Sequence, residues 1–295
     1  MNIISKNDMI FKSVYIFLIF FSGGFLFLYS GKLPFLIITI IILIIYIFLS
    51  FEKPLRRLKS TVKKFPEEWE LILAKYSNFY KSLGKEGKER FRKDIKIFFT
   101  DFTIKGLQGE EIDIETKVLV AAGVATILHG RPYWDPPIKD GVVVYPGETF
   151  DSQYELGKGN IAGMAGERRP LLVTKEILKK SFENPGDGYN SLIHELAHYF
   201  DFENPELAGI PLIGNEKERA KNWRKIMEEE REKVRKGNSF LRSYAGFNEA
   251  EFFAVATEFF FEKPGIMFKE NPELYRLLKE FYNLDLKDLY NTSKK

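Results

Sequence analysis

Residues 191–201 read SLIHELAHYFD. Leu192, Ile193, Leu196 and Ala197 recur at helical spacing, which predicts a helix with one face set in a core. His194 and His198 stand four residues apart and so share a face of that helix. Two imidazoles in this relation reach one tetrahedral ion. Glu195 projects beside them, where it can act on a metal-bound water. The chain has 3 histidines in all, and two of them complete the pattern. The plain alternative is an amphipathic helix that carries two partly exposed histidines.

Composition narrows the chemistry. The chain has 295 residues, 45% of them hydrophobic and 29% charged, enough for one large domain or two small ones. Net charge is +3 from 44 basic and 41 acidic residues, which lacks the basic footprint of direct nucleic-acid binding. With no cysteine, disulfides, thiolate metal sites and cysteine nucleophiles are excluded. A metal would have to be held by nitrogen and oxygen.

The N-terminus has a different character. VYIFLIFFSGGFLFLY (14–29) and PFLIITIIILIIYIFLS (34–50) carry no charge, and Lys32 lies between them. Each run is close to the ~17–25 residues that span a bilayer. A cleaved signal peptide does not fit, because the second run follows at once with no small-residue cleavage site. FEKPLRRLKSTVKK (51–64) sets Lys53, Arg56, Arg57, Lys59, Lys63 and Lys64 against Glu52. Lys6 and Lys12 flank the other end. The positive-inside rule then puts both ends in the cytoplasm. The expected organisation is a transmembrane hairpin in the cell membrane over 1–51 and a basic juxtamembrane linker over 52–64, able to touch anionic headgroups. A cytoplasm-facing domain follows over 65–295.

In the body, helical patterns cover 67–83, 112–130, 215–237, 247–265 and about 272–289, and short β-type runs occupy 142–146 and 169–174. The expected fold is α+β, mostly helical with a small sheet. The 215–237 helix reads as a solvated charged face with Trp223 and Ile226 in its apolar stripe.

Catalytic zinc takes three protein ligands and keeps one position open. The metzincin arrangement needs glycine at 201 and histidine at 204, but the chain has Asp201 and Asn204. His129 ends an Ala/Val-rich helix and reads as a capping or packing residue. In 247–262, Phe252, Phe253, Ala254, Val255, Ala256, Phe259, Phe260 and Phe261 make the helix apolar nearly all round. It should be buried. A carboxylate inside it needs a partner or a metal. Glu251 and Glu258, seven apart on one face, qualify equally. Glu249 sits in the first turn, where a solvated carboxylate is favoured by the helix dipole.

SYAGFNEAEFFAVATEFFFEKP (243–264), taken with HELAH, resembles the Mlc titration factor A (MtfA) family of zinc metallopeptidases, and the catalytic core of anthrax lethal factor is similar. VYPGETF (144–150), HYFDFENPELAGIPL (198–212) and FEKPGIMFKENPELYRLLKEFY (261–282) also resemble the family pattern. The resemblance implies a zincin-type, gluzincin-like domain acting on a peptide or protein substrate. It implies Zn2+ bound by His194, His198 and Glu251, with Glu195 as general base and Tyr244 assisting. It also implies an alternative, a membrane-tethered binding module that sequesters a transcriptional regulator. Two features depart from the pattern. The hairpin is additional, and Val255 stands where lethal factor has an acidic residue near its metal. The outer partner of one histidine is therefore open, with Asp201 as a candidate.

Overall fold

The computed structural model describes residues 1–4, 6–109, 111–136, 138, 141–145, 170–201 and 217–292. Helix α1 (Lys6–Ser30) and helix α2 (Leu33–Thr61) lie along each other as a hairpin. Both are long and apolar enough to cross a membrane. Their outer faces carry Phe17, Phe20, Ile44 and Phe48, all exposed. An apolar surface of this size has no partner in water. The second helix does not stop with its apolar run. It continues to Thr61, so most of the basic segment is helical. Arg57 on that extension is buried. Its guanidinium donates to Asp101 (Nε to Oδ2, 2.8 Å) and to Asp135 (Nη2 to Oδ1, 2.9 Å), which ties the hairpin to the body.

Helices α3 (Glu67–Tyr76) and α4 (Asn78–Ser82) occupy the stretch that the sequence predicts as one helix. The break falls at Ser77, whose extended backbone ends the first helix while its Oγ accepts from the Tyr80 N–H and starts the second. Next come α5 (Lys85–Asp101), strand β1 (Ile104–Gly106) and α6 (Ile114–Leu128). Asp113 caps α6 by accepting from the Thr116 N–H at 2.7 Å. Strands β2 (Val142–Tyr145) and β3 (Leu171–Thr174) complete a parallel sheet of order β1-β2-β3. Ile104 pairs with Val142, and Val142 with Leu171. Parallel neighbours need a long crossover, and α6 supplies the one between β1 and β2.

The remaining helices are α7 (Lys175–Glu183), α8 (Ser191–Asp201), α9 (Lys217–Arg235), α10 (Glu249–Glu262), α11 (Pro264–Glu270), α12 (Pro272–Tyr282) and α13 (Leu286–Thr292). The final predicted helix is thus two. Asn283, in the left-handed region at φ 52°, closes α12, a conformation asparagine tolerates better than most residues. The core gathers around α6 and α10. From Val118 to Leu128 every residue of α6 is buried, and from Glu251 to Phe261 every residue of α10. Helix α8 packs on both. Gly123 of α6 is where α8 comes closest, since a Cβ there would lie 2.2 Å from Leu192 Cδ2.

Candidate metal centre

The HELAH helix begins with a cap. Asn190 Oδ1 accepts from the Ile193 N–H at 3.1 Å, as asparagine does at helix starts. Buried Leu192, Ile193, Leu196 and Ala197 then seat α8 in the core, so His194 and His198 are held toward α10. On that helix Asn248 Oδ1 accepts from the Glu251 N–H at 2.8 Å. Glu251 therefore sits in the first turn, where the helix dipole favours a carboxylate.

These two helices bring His194, His198 and Glu251 together. His194 Nε2 and His198 Nε2 are 3.2 Å apart. Glu251 Oε2 lies 3.0 Å from the first and 3.5 Å from the second. Ligand atoms ~2.0 Å from one ion at tetrahedral angles stand about 3.3 Å from each other. The three edges bracket that value. Glu251 Oε2 is buried and makes no aligned hydrogen bond among the described residues, despite its closeness to the imidazoles. Three lone-pair donors converging on one point, one of them otherwise orphaned, suit a divalent cation. An all-N/O set of two imidazoles and a carboxylate suits a divalent first-row transition metal.

Behind the triad is a second carboxylate. Glu258 is fully buried, and its Oε1 takes a 2.6 Å hydrogen bond from His194 Nδ1. With the proton on Nδ1, His194 Nε2 presents its lone pair toward Glu251 and His198. Arg242 reaches both oxygens of Glu258 (Nη1 to Oε2, 2.9 Å; Nη2 to Oε1, 2.5 Å). The Asn190 backbone N–H donates to Oε2 at 2.7 Å. Such a carboxylate behind a histidine fixes its tautomer and strengthens it as a ligand. The partner that Val255 cannot provide is therefore found three residues further on, at Glu258. Spacing alone could not separate Glu251 from Glu258; the structure gives them different neighbours.

The electrostatics of these groups follow from their contacts. Burial pushes the His194 imidazole down, but Glu251 and Glu258 more than offset this and lift it to about 9. Burial raises Glu251, and the two facing imidazoles outweigh that and hold it far below the usual carboxylate range. Glu195, half-buried beside the triad, is raised chiefly by burial. Tyr244 is 47% exposed, with its ring 6.0 Å from that of His194. Partial burial and the neighbouring Glu251 raise it to about 12, so it stays a proton donor. Phe247 stacks on it at 6.1 Å.

His129 is not brought to this cluster. It is buried against Phe79 and Phe91, with ring centroids at 5.2 and 6.1 Å, and burial holds it near 3. The side chain of Asp201 and the stretches 146–150 and 202–212 lie outside the described residues. Arg242 and Asn190 are absent from the set that the sequence marks as functional. An asparagine just ahead of an apolar-periodic run is a readable cap signal. Arg242 has no such mark.

Comparison with known proteins agrees with the geometry. An uncharacterized protein of Synechocystis sp. is 25% identical over 243 residues, covering 76% of this chain and 86% of that protein. The Mlc titration factor A of Escherichia fergusonii is 30% identical over 222 residues, 68% of this chain and 80% of its own. That of Cronobacter sakazakii is 27% identical over 241 residues, 75% and 87% respectively. The pattern of the glucose-regulated metallo-peptidase M90 family matches residues 52–283, the body together with the basic end of α2. Over that body, the chain belongs to the glucose-regulated metallo-peptidase M90 family.

Proposed function

We propose that this chain is a membrane-anchored zinc peptidase of gluzincin-like design, with its catalytic domain on the cytoplasmic side. The observation that carries the reading is the triangle of His194 Nε2, His198 Nε2 and Glu251 Oε2, with edges of 3.0 to 3.5 Å, beside Glu195 and backed by Glu258. Zinc held by these three residues would polarise the scissile carbonyl and lower the pKa of a bound water. Glu195 takes the water proton as general base and passes it to the leaving amine. Its raised carboxyl suits a group that must hold a proton between the two steps. Tyr244 donates a hydrogen bond to the oxygen on which charge develops. Glu258 and Arg242 keep His194 in the ligating tautomer. Strand β3 is an edge of the described sheet and packs against α8, so an extended peptide can add to it as a further strand.

Two helices long and apolar enough to cross a membrane, with charge-free runs at 14–29 and 34–50, support the anchor. The excess of Lys and Arg at both hairpin ends over the single Lys32 between supports the orientation. The reading is tested with the full-length chain in detergent, wild type beside Glu195→Gln, against a peptide library and with metal analysis. Wild type should hold zinc and cleave. Glu195→Gln should hold zinc and lose cleavage by ~10²-fold or more. Zinc-free wild type would overturn the reading. The name Mlc titration factor A, borne by relatives, favours a second reading in which capture of a regulator at the membrane is the principal activity. Partner binding that survives in Glu195→Gln, with the biological effect intact, would favour it.

A further inference from the structure

Helix α10 carries a third acid on the face of Glu258, one turn further on. Glu262 Oε1 accepts from Asn190 Nδ2 at 3.0 Å, and its other oxygen accepts from the Gly186 N–H. Asn190 also bonds both helices of the site, α8 and α10. Its Oδ1 caps the helix at the Ile193 N–H, and its backbone N–H holds Glu258 Oε2 at 2.7 Å. Glu258 in turn holds His194 Nδ1. An unbroken path of four residues, in which Asn190 takes part through both its side chain and its backbone N–H, therefore links Glu262 to a ligating histidine and passes through the residue that starts the HELAH helix. Glu262 also faces a cavity of about 100 Å³, lined in part by Ser77, Thr126, Ser181, Asn190 and Tyr290.

We propose that Glu262 is a positioning residue for the metal centre, whose ionised carboxylate, acting through Asn190 and Glu258, sets the orientation of His194 and so the strength with which the site holds its ion. This rests on the metal-site reading above. A carboxylate accepts from both N–H groups at once, whereas a neutral acid or an amide must turn a donor toward one of them. The 186–190 turn then loosens, and the hold on Glu258 with it. Burial raises Glu262 to about 7, with Asp187 on the turn and Glu258 on its own helix adding to the rise. From α13 it is faced by Tyr290, and Tyr76 of α3 lies on the cavity wall. The site can thus sense protonation from a group that does not touch the ion.

The test measures zinc affinity of the full-length chain by competition with a chelator, for wild type and Glu262→Gln, between pH 6 and pH 8. Replacing an outer partner of a metal ligand weakens binding ~10–100-fold, and one step further out the expected loss is about tenfold at pH 8. That ratio should shrink toward one at pH 6, below the value of about 7 to which burial raises Glu262, where the wild-type side chain is largely protonated. A purely structural role gives a ratio that does not change with pH. A Glu262→Gln chain that binds zinc as tightly as wild type at pH 8 overturns the proposal alone. Wild type that binds no zinc overturns the metal-site reading instead. Asn190→Ala supplies the second arm. Adding Glu262→Gln to it should cost little further affinity, and independent, additive losses would contradict the path.

Discussion

Glu258→Gln is the substitution whose consequences can be worked most fully. Glu258 has no exposed surface and accepts four hydrogen bonds, one from His194, two from Arg242 and one from the Asn190 N–H. Glutamine keeps the shape but offers one carbonyl oxygen, and it turns an NH2 toward donors that already face inward. Breaking a buried ion pair from one side costs about 3–5 kcal/mol. The Arg242 side chain is 29% exposed and regains some solvation, which brings the expected loss down to about 2–4 kcal/mol. Metal affinity should fall in addition, by ~10–100-fold, because His194 loses the acceptor that fixes its tautomer. Glu249→Gln, on the same helix but partly exposed in its first turn, is the control and should stay within about 0.5 kcal/mol. Denaturant unfolding of the metal-free proteins measures the first effect, and chelator competition the second. If Glu258→Gln loses stability but holds zinc within about twofold of wild type, Glu258 is a structural anion with no role at the metal. If neither quantity moves, the geometry around it is wrong.

Three further outcomes follow from the same structure. Tyr244→Phe should keep zinc affinity and lower kcat by ~10²-fold, as removal of one oxyanion donor does; an unchanged kcat on peptides would exclude that role. In the ion-free protein His194 is raised from 6.5 to about 9, so its stabilising charge is complete below pH 6.5 and lost as pH rises through 9. Zinc needs the neutral ring, so titration calorimetry at pH 7.5 in buffers of differing ionisation enthalpy should find about one proton released per ion, declining above pH 9. Gly123→Ala should destabilise by about 1–3 kcal/mol, since its Cβ would meet Leu192 of the metal helix at 2.2 Å; unfolding at an unchanged denaturant midpoint would contradict the close approach of α6 and α8.

The parts legible in the sequence are those in which local pattern and tertiary role coincide. HELAH sets His194 and His198 on one face because it is one helix, and the same apolar periodicity that forms the helix buries it. The α10 segment is equally plain, since a run from Phe252 to Phe261 has no solvent face. Charge-free runs at 14–29 and 34–50 mark themselves. Breaks in helices leave a weaker mark. Ser77 interrupts an apolar pattern that reads straight through it, because a side-chain cap competes with helix continuation on nearly equal terms, and Asn283 does the same by adopting the left-handed region. Strand β1, three residues long, has too little length to show a period. The division of labour between Glu251 and Glu258 depends on what α8 and Arg242 place beside each, and no spacing rule within α10 carries that information. Arg242 is invisible for the same reason, because its partner lies sixteen residues away on another element.

The most direct test of the account is zinc X-ray absorption on the full-length chain loaded with one equivalent of metal, wild type beside Glu251→Ala. The account predicts stoichiometric zinc in a shell of nitrogen and oxygen at ~2.0 Å with the multiple-scattering signature of two imidazoles, and loss of one oxygen ligand and most affinity in Glu251→Ala. Zinc that binds without imidazole scattering, or a spectrum that Glu251→Ala leaves unchanged, would contradict it.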